Sequence, residues 1–315
     1  MIGARIPEWG ALPRIEDLPD PTPREGEALL RVRAAALNPV DIFIASGRFY
    51  GPVPDPPFIG GAECVAEVIE APEIEAGTRV WNLGVHGALA ELATAPVDRL
   101  VPVPDDISDE MAAAIGIAGL AGWMAVLSRG RLTSDETVIV VGASGAVGQI
   151  AIQAAVGRGA RVIAAARSEK GLERARALGA GATVRIDDSF AESLAAAAPD
   201  GIDLAIDMVW GEAAPVVLGH LSPRGRLVQV GNAAAPEATI VGGPLRGRRL
   251  DIRGFSVYSE HFRDVASGYG ELARAAADGE VVLEIETYSL MNAPQAWADQ
   301  KAGAGGSKLV VVPEG

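Results

Sequence analysis

The sequence holds one cysteine in 315 residues, Cys64, which excludes an intramolecular disulfide and any zinc site built on several thiolates. Its three histidines, His86, His220 and His261, are far apart and form no HExxH pair. Lysine is scarce too: Lys170, Lys301 and Lys308 are the full set. Lysine and arginine number 27 against 41 acidic residues, a formal charge of −14. The basic footprint that a phosphate-backbone binder needs is missing, so nucleic acid is not an expected partner. The first residues, Met1-Ile2-Gly3-Ala4-Arg5-Ile6-Pro7, lack the apolar core of a signal peptide. With a lone thiol, that points to a reducing cytoplasm. Uncharged stretches at 111–128 and 137–157 are both punctuated by glycine. Neither is the unbroken apolar helix of about 20 residues that a bilayer requires, so no membrane partner is expected.

What is abundant is apolar side chain, 49% of residues. That much burial can offset the entropy of ordering a chain, and this length predicts two lobes. The first hundred residues read as β-rich. Residues 28–33 and 64–69 alternate like half-buried strands, with a short helix from Pro39 to Ala45 between them. The run Pro52, Pro54, Pro56 and Pro57 then makes a loop, because proline cannot serve a central strand. Near Ile107 the pattern changes. Ser108-Asp109-Glu110 supplies a cap and an acidic first turn for an Ala-rich helix. Six β-branched runs follow among Ala-rich helical segments: Val138–Val141, Arg161–Ala165, Thr183–Ile186, Ile202–Asp207, Arg226–Val230 and Ile252–Ser256. This alternation predicts an α/β fold with a doubly wound, six-stranded parallel sheet of the Rossmann type. A last helix over Asn292–Ala302 and a strand over Lys308–Val312 close the chain.

The most specific motif is Gly142-Ala143-Ser144-Gly145-Ala146-Val147-Gly148, placed between the strand 138–141 and a helix, with a second strand after it. In that context the glycines permit a tight turn and close backbone approach, so a pyrophosphate can meet the helix N-terminus. No Gly-Lys-Ser/Thr follows, so it is not a P-loop. An acid at the end of the second strand would bind ribose hydroxyls and select NAD. Here the chain reads Arg167-Ser168-Glu169-Lys170. Arg167 and Lys170 would attract a 2′-phosphate and Ser168 could donate to it, which predicts NADPH as the cofactor. The competing reading makes these ordinary charges at a helix start, with Glu169 pairing with either cation. Val209, Gly231 and Asn232 fall after the fourth and fifth strands, at the carboxyl-end crevice of such a sheet.

The chain resembles the medium-chain dehydrogenase/reductase superfamily, and within it the zinc-free quinone oxidoreductase (ζ-crystallin-like) branch. The resemblance rests on Asn38-Pro39-Val40-Asp41 with Ser46-Gly47, and on Gly84-Val85-His86-Gly87-Ala88 with Ala90-Glu91. Gly119-Leu120 with Trp123, and Gly254-Phe255 with Tyr258, extend it over essentially the whole chain. It implies a GroES-like β-rich substrate domain over residues 1–108 and 279–315, around a Rossmann domain over 109–278. It implies no metal: zinc-dependent members carry a Cys where Asn38 stands and a His at Ala62, before Glu63. A homodimer is implied as well, with the edge strand Ile252–Ser256 as its contact. The Tyr-x-x-x-Lys signature of short-chain dehydrogenases is missing, since Pro54, Phe262, Ala273 and Asn292 stand four residues after the four tyrosines.

The function that follows is transfer of hydride from NADPH to a quinone or an α,β-unsaturated carbonyl, a small-molecule substrate. Two alternatives stand beside it: an enoyl-thioester reductase of a biosynthetic pathway, and a nucleotide-binding sensor or structural protein with little turnover. Negative charge growing on the acceptor oxygen needs a donor. The Asn38 amide is one candidate, or it merely bonds a loop backbone; Tyr50 and Tyr258 are candidate proton donors. Phe43, Phe49 and Phe58 either clamp a flat substrate or pack in the core. Asp41 is read as a helix N-terminal charge, Glu63 as a hydrogen-bonding structural acid, and Cys64 as a small buried hydrophobe.

Overall fold

A computed structural model describes residues 1–84 and 87–313. The chain runs through β1 (Ile2–Ile6), β2 (Arg14–Asp17), β3 (Glu27–Ala36), β4 (Phe58–Ile59), β5 (Glu63–Glu70), β6 (Arg79–Leu83), β7 (Leu92–Pro96) and β8 (Leu100–Pro102). Then come β9 (Thr137–Val141), β10 (Arg161–Ala166), β11 (Ala182–Arg185), β12 (Ile202–Asp207), β13 (Leu221–Gln229) and β14 (Asp251–Gly254). It ends with β15 (Ile285–Ser289) and β16 (Lys308–Val312). Two compact units result. One comprises Met1–Ala118, His261–Gly279 and Leu283–Gly315; the other comprises Gly119–Glu260 and Glu280–Val282.

The first unit is the β-rich one. Its larger sheet runs β15-β16-β3-β5-β6-β8, with β7 also paired to β3, and a smaller sheet runs β2-β1-β4. Along β3, Ala28, Leu30, Val32 and Ala34 are buried while Arg31 and Arg33 are exposed, as the alternation over 28–33 predicts. The predicted helix forms as Pro39–Ala45, with proline at its first position and Asn38 as the N-cap. Residues 52–57 form no strand. The helix Asp109–Ala114 starts where expected, the Ser108 hydroxyl accepting from the Met111 amide. That helix and Phe262–Ala277 both pack within this unit, where the Tyr269 ring stacks on Trp81 at 4.4 Å and its hydroxyl donates to the Ala112 carbonyl.

The second unit is a six-stranded, wholly parallel sheet in the order β11-β10-β9-β12-β13-β14. Its central strand is buried on both faces, from Val138 to Val141, which explains the unbroken β-branched run. The order reverses between β9 and β12, so the crevice outside their carboxyl ends is where a ligand binds in such sheets. The uncharged stretch 111–128 divides at Gly116 into separate helices, and 137–157 is a strand, a turn and a helix. Among the described residues no helix is long and apolar enough to cross a membrane.

Candidate active site

The glycine-rich turn follows β9 as predicted and leads into the helix Ala146–Gly157. Each glycine has a different physical reason. Gly142 is left-handed at φ 94, and a side chain there would press on Val209 and Met208. Gly145 is the N-cap and has no side chain to satisfy the first helical N–H groups, so these stay available to an anion. A Cβ on Gly148 would lie 2.4 Å from the Gly142 carbonyl, so only glycine lets the helix close on the turn. These residues fit a dinucleotide: they form a cradle that a Cβ would fill, under a helix N-terminus.

Arg167 follows β10 directly and is exposed, as are Ser168 and Lys170. Ser168 caps the helix Glu169–Ala177 by accepting from the Gly171 amide at 3.2 Å. Its hydroxyl proton is left to donate elsewhere. Glu169 pairs with Arg176 at 3.0 Å, along its own helix, rather than with Arg167 or Lys170. Gly171 brings this edge to the turn, since a Cβ on it would sit 2.6 Å from the Ser144 Cβ. Composition and spacing do not single out Gly171. Opposite, Asp207 at the end of β12 accepts from the Val209 and Trp210 amides at 2.8 and 2.9 Å. Burial holds its carboxyl above the ordinary range, against those two hydrogen bonds. A Cβ on Gly231 would come within 3.1 Å of the Met208 carbonyl, so this glycine lets the loop after β13 approach the one after β12. Asn232 beside it is exposed.

In the first unit a polar cluster lies wholly buried. Glu63 accepts from Asn38 Nδ2 at 2.7 Å, Trp81 Nε1 at 3.0 Å and the Ile117 amide at 2.6 Å. Lys308 Nζ donates to the Leu37 carbonyl and to Asn38 Oδ1, and stands 3.9 Å from Glu63. Asp41 accepts from the Asn38 amide at 2.7 Å. Burial pushes Asp41 up to about 7, with the Glu63 charge adding to the effect. Burial likewise raises Glu63 and lowers Lys308, each opposed by the charge of the other. Asp41 is thus the helix-start charge expected of it, but a desolvated one, and Glu63 is the hydrogen-bonding acid. Cys64 is buried, its thiol pushed up to about 12 by desolvation.

This cluster corrects the reading of Asn38 as a donor to substrate. Its second amide proton goes to the Ala36 carbonyl at 3.2 Å, so both Nδ2 protons are spent inside the chain. The internal role, weighed beside the catalytic one, is the one its geometry has. The residues do not suit a zinc ion either. The Lys308 ammonium sits on Asn38, and a cation there repels a metal. Among the described residues no three His, Cys, Asp or Glu side chains converge on a common point. The sequence shows Lys308 as one of three lysines and the head of an apolar strand, but not its pairing with Asn38 and Glu63. Gly116 carries no signal there, yet a Cβ on it would lie 1.8 Å from Glu63 Oε2.

The aromatic candidates gather in pairs. Phe43 is 42% exposed, which removes it from the core, and the Arg48 guanidinium lies 5.9 Å from its ring. Phe49 meets Tyr50 at 4.6 Å, and Phe58 meets Trp9 at 6.2 Å while also packing on the core. Tyr50 is 73% exposed. Tyr258 belongs to the second unit, half-buried in the turn Val257–Ser259. His86, in the resemblance-bearing segment 84–88, lies outside the described residues together with Val85.

Comparison with known proteins follows these two regions. Residues 24–105 match the alcohol dehydrogenase GroES-like domain and residues 146–269 match the zinc-binding dehydrogenase domain. The quinone oxidoreductase of Mus musculus is 30% identical over 319 residues, covering 97% of this chain and 95% of that protein. A phenolphthiocerol/phthiocerol polyketide synthase protein of Mycobacterium tuberculosis is 29% identical over 305 residues; these cover 92% of this chain and only 14% of the synthase. A mycobacterial protein solved in complex with NADPH superposes with a TM-score of 0.88 at 25% identity, over 99% of this chain and 100% of that one. This chain belongs to the medium-chain dehydrogenase/reductase superfamily of oxidoreductases, in its quinone oxidoreductase branch.

Proposed function

We propose that the protein is an NADPH-dependent, metal-independent reductase of quinones or α,β-unsaturated carbonyls. The observation that carries this reading is the second unit's open cradle: the Gly142–Gly148 turn with Arg167 exposed at the neighbouring strand end and Glu169 engaged elsewhere. Val209, Gly231 and Asn232 border the same carboxyl-end crevice. The mycobacterial relative in complex with NADPH supports the choice of cofactor. A reduced nicotinamide bound there supplies a hydride to an electron-poor carbon of the acceptor. One proton must follow, giving a saturated carbonyl from an enone or a hydroquinone from a quinone. Positioning of donor and acceptor supplies most of the effect, so no dedicated base is required.

In this reading Asn38 is a positioning residue that braces Glu63 and Lys308. Tyr50, beyond the Pro39–Ala45 helix, and Tyr258 are the proton donors we assign, and Phe43, Phe49 and Phe58 hold a flat acceptor. A cytoplasmic homodimer pairing through the free edge of β14 completes the proposal. The polyketide synthase relatives favour a second reading, reduction of an enoyl thioester, with a carrier-bound acyl chain as substrate.

The test is oxidation of NADPH and NADH by the purified protein with a quinone, an enone, an enoyl thioester and a simple ketone. Turnover with the quinone or enone and an inert ketone is expected. Turnover confined to the thioester would favour the second reading, and none with any acceptor would leave a nucleotide-binding sensor.

A further inference from the structure

Gly171 lies inside the helix Glu169–Ala177, three residues after its N-cap Ser168. Helical backbone suits every L residue, and glycine weakens a helix interior relative to alanine. What glycine provides here is space. A Cβ on Gly171 would lie 2.6 Å from the Ser144 Cβ, closer than such atoms approach, and 3.0 Å from Ser168 Oγ. The first of these contacts is with the cofactor turn, and it cannot be rotated away, because a Cβ is fixed by its own backbone. Ser144 is tied in place as well. The Gln149 side-chain amide donates to its carbonyl at 3.0 Å. The Gly142 and Ala143 amides before it are bonded to the Ala165 carbonyl at 2.9 and 3.0 Å. A side chain at 171 must therefore push the start of its own helix off the turn. Arg167, Ser168 and Lys170 would move with it.

The chemistry of the ligand makes this spacing matter. In NADPH the 2′-phosphate and the pyrophosphate hang on one ribose, so the groups that bind them must stand a fixed, short distance apart. The Gly142–Gly148 turn is the proposed pyrophosphate cradle, and the Arg167–Lys170 edge is the proposed 2′-phosphate contact. Gly171 is where the two meet. We infer that Gly171 is a positioning residue for cofactor selectivity: the gap at its α-carbon holds the Arg167 edge within reach of the 2′-phosphate while the pyrophosphate lies on the turn. The inference rests on the proposed NADPH site and adds the residue that keeps its two halves in register. NADH carries a hydroxyl at the 2′ position, makes no demand on that edge and is indifferent to the gap.

The experiment is calorimetric titration of the full chain with NADPH and with NADH. Gly171→Ala should raise the Kd for NADPH about tenfold, the lower end of what losing a charge-assisted hydrogen bond costs, and leave NADH unchanged. The ratio of the two affinities is the readout that a merely structural glycine would not move. In the Arg167→Ala background the same substitution should add little, because the contact it displaces is already gone. Adding Ser144→Gly to Gly171→Ala removes the opposing Cβ and should restore most of the preference for NADPH. Thermal unfolding checks that each variant folds; if Gly171→Ala alone does not, the double variant must fold and keep that preference. Equal weakening of both cofactors, no weakening of either, or a loss that Ser144→Gly does not relieve would overturn the role of Gly171 and leave the dinucleotide site standing. If Arg167→Ala itself affects NADPH and NADH alike, the 2′-phosphate site fails and the inference with it.

Discussion

The two polar regions of this molecule are built on opposite plans. In the first unit, Asn38, Glu63 and Lys308 spend their hydrogen bonds on one another, on Trp81 and on backbone, and they are buried. In the second, the turn at Gly142–Gly148 leaves helix N–H groups uncapped, and Arg167, Ser168 and Lys170 are exposed beside it. A region that satisfies itself holds shape, whereas one with donors to spare takes a ligand. Conspicuous polar residues alone do not distinguish the two. Asn38 and Arg167 look equally functional in the sequence, and only the partners of their side chains separate them.

The comparison breaks most visibly at Lys308. Lys308→Met leaves two buried carboxyl groups without their counter-charge and should cost about 3–5 kcal/mol of stability, read as a lowered midpoint in chemical unfolding. Cofactor affinity of the folded fraction should be unaffected. If stability is unchanged, the cluster is not the closed unit described above. The converse substitution lies in the cradle. Gly148→Ala forces a Cβ against the Gly142 carbonyl. It should weaken cofactor binding more than tenfold, on the order of 1.4 kcal/mol or above, and lower the melting temperature as well, because the clash is with backbone atoms. Unchanged cofactor affinity in the folded variant would contradict the cradle.

A smaller effect sharpens the account of Asp41. Burial raises its folded-state pKa from 3.8 to about 7, so between those values the native state holds a proton that the unfolded chain does not. Stability from this group is greatest below about pH 4 and declines as pH rises through 7. Asp41→Asn should flatten that part of the stability–pH curve without moving the cofactor affinity. An unaltered slope in the variant would assign the dependence to other groups.

Much of the second unit was legible from local pattern. The first two β-branched runs, the glycine spacing and the absence of an acid after Ala166 all lie within thirty or so residues, the span of one strand–helix–strand unit. The first unit's cluster was not legible, because its members are distant in the chain. Glu63 is 25 residues from Asn38, and Lys308 is 270 away. No periodicity reports a pairing of that range.

The most direct test of the open-cradle claim is cofactor selectivity in Arg167→Ala. Loss of one charge-assisted contact to the 2′-phosphate costs about 1.5–3 kcal/mol, roughly a 10- to 150-fold rise in Kd. That rise should appear for NADPH while NADH binding stays as in the wild-type protein. An equal change for both cofactors, or none for either, would contradict the account.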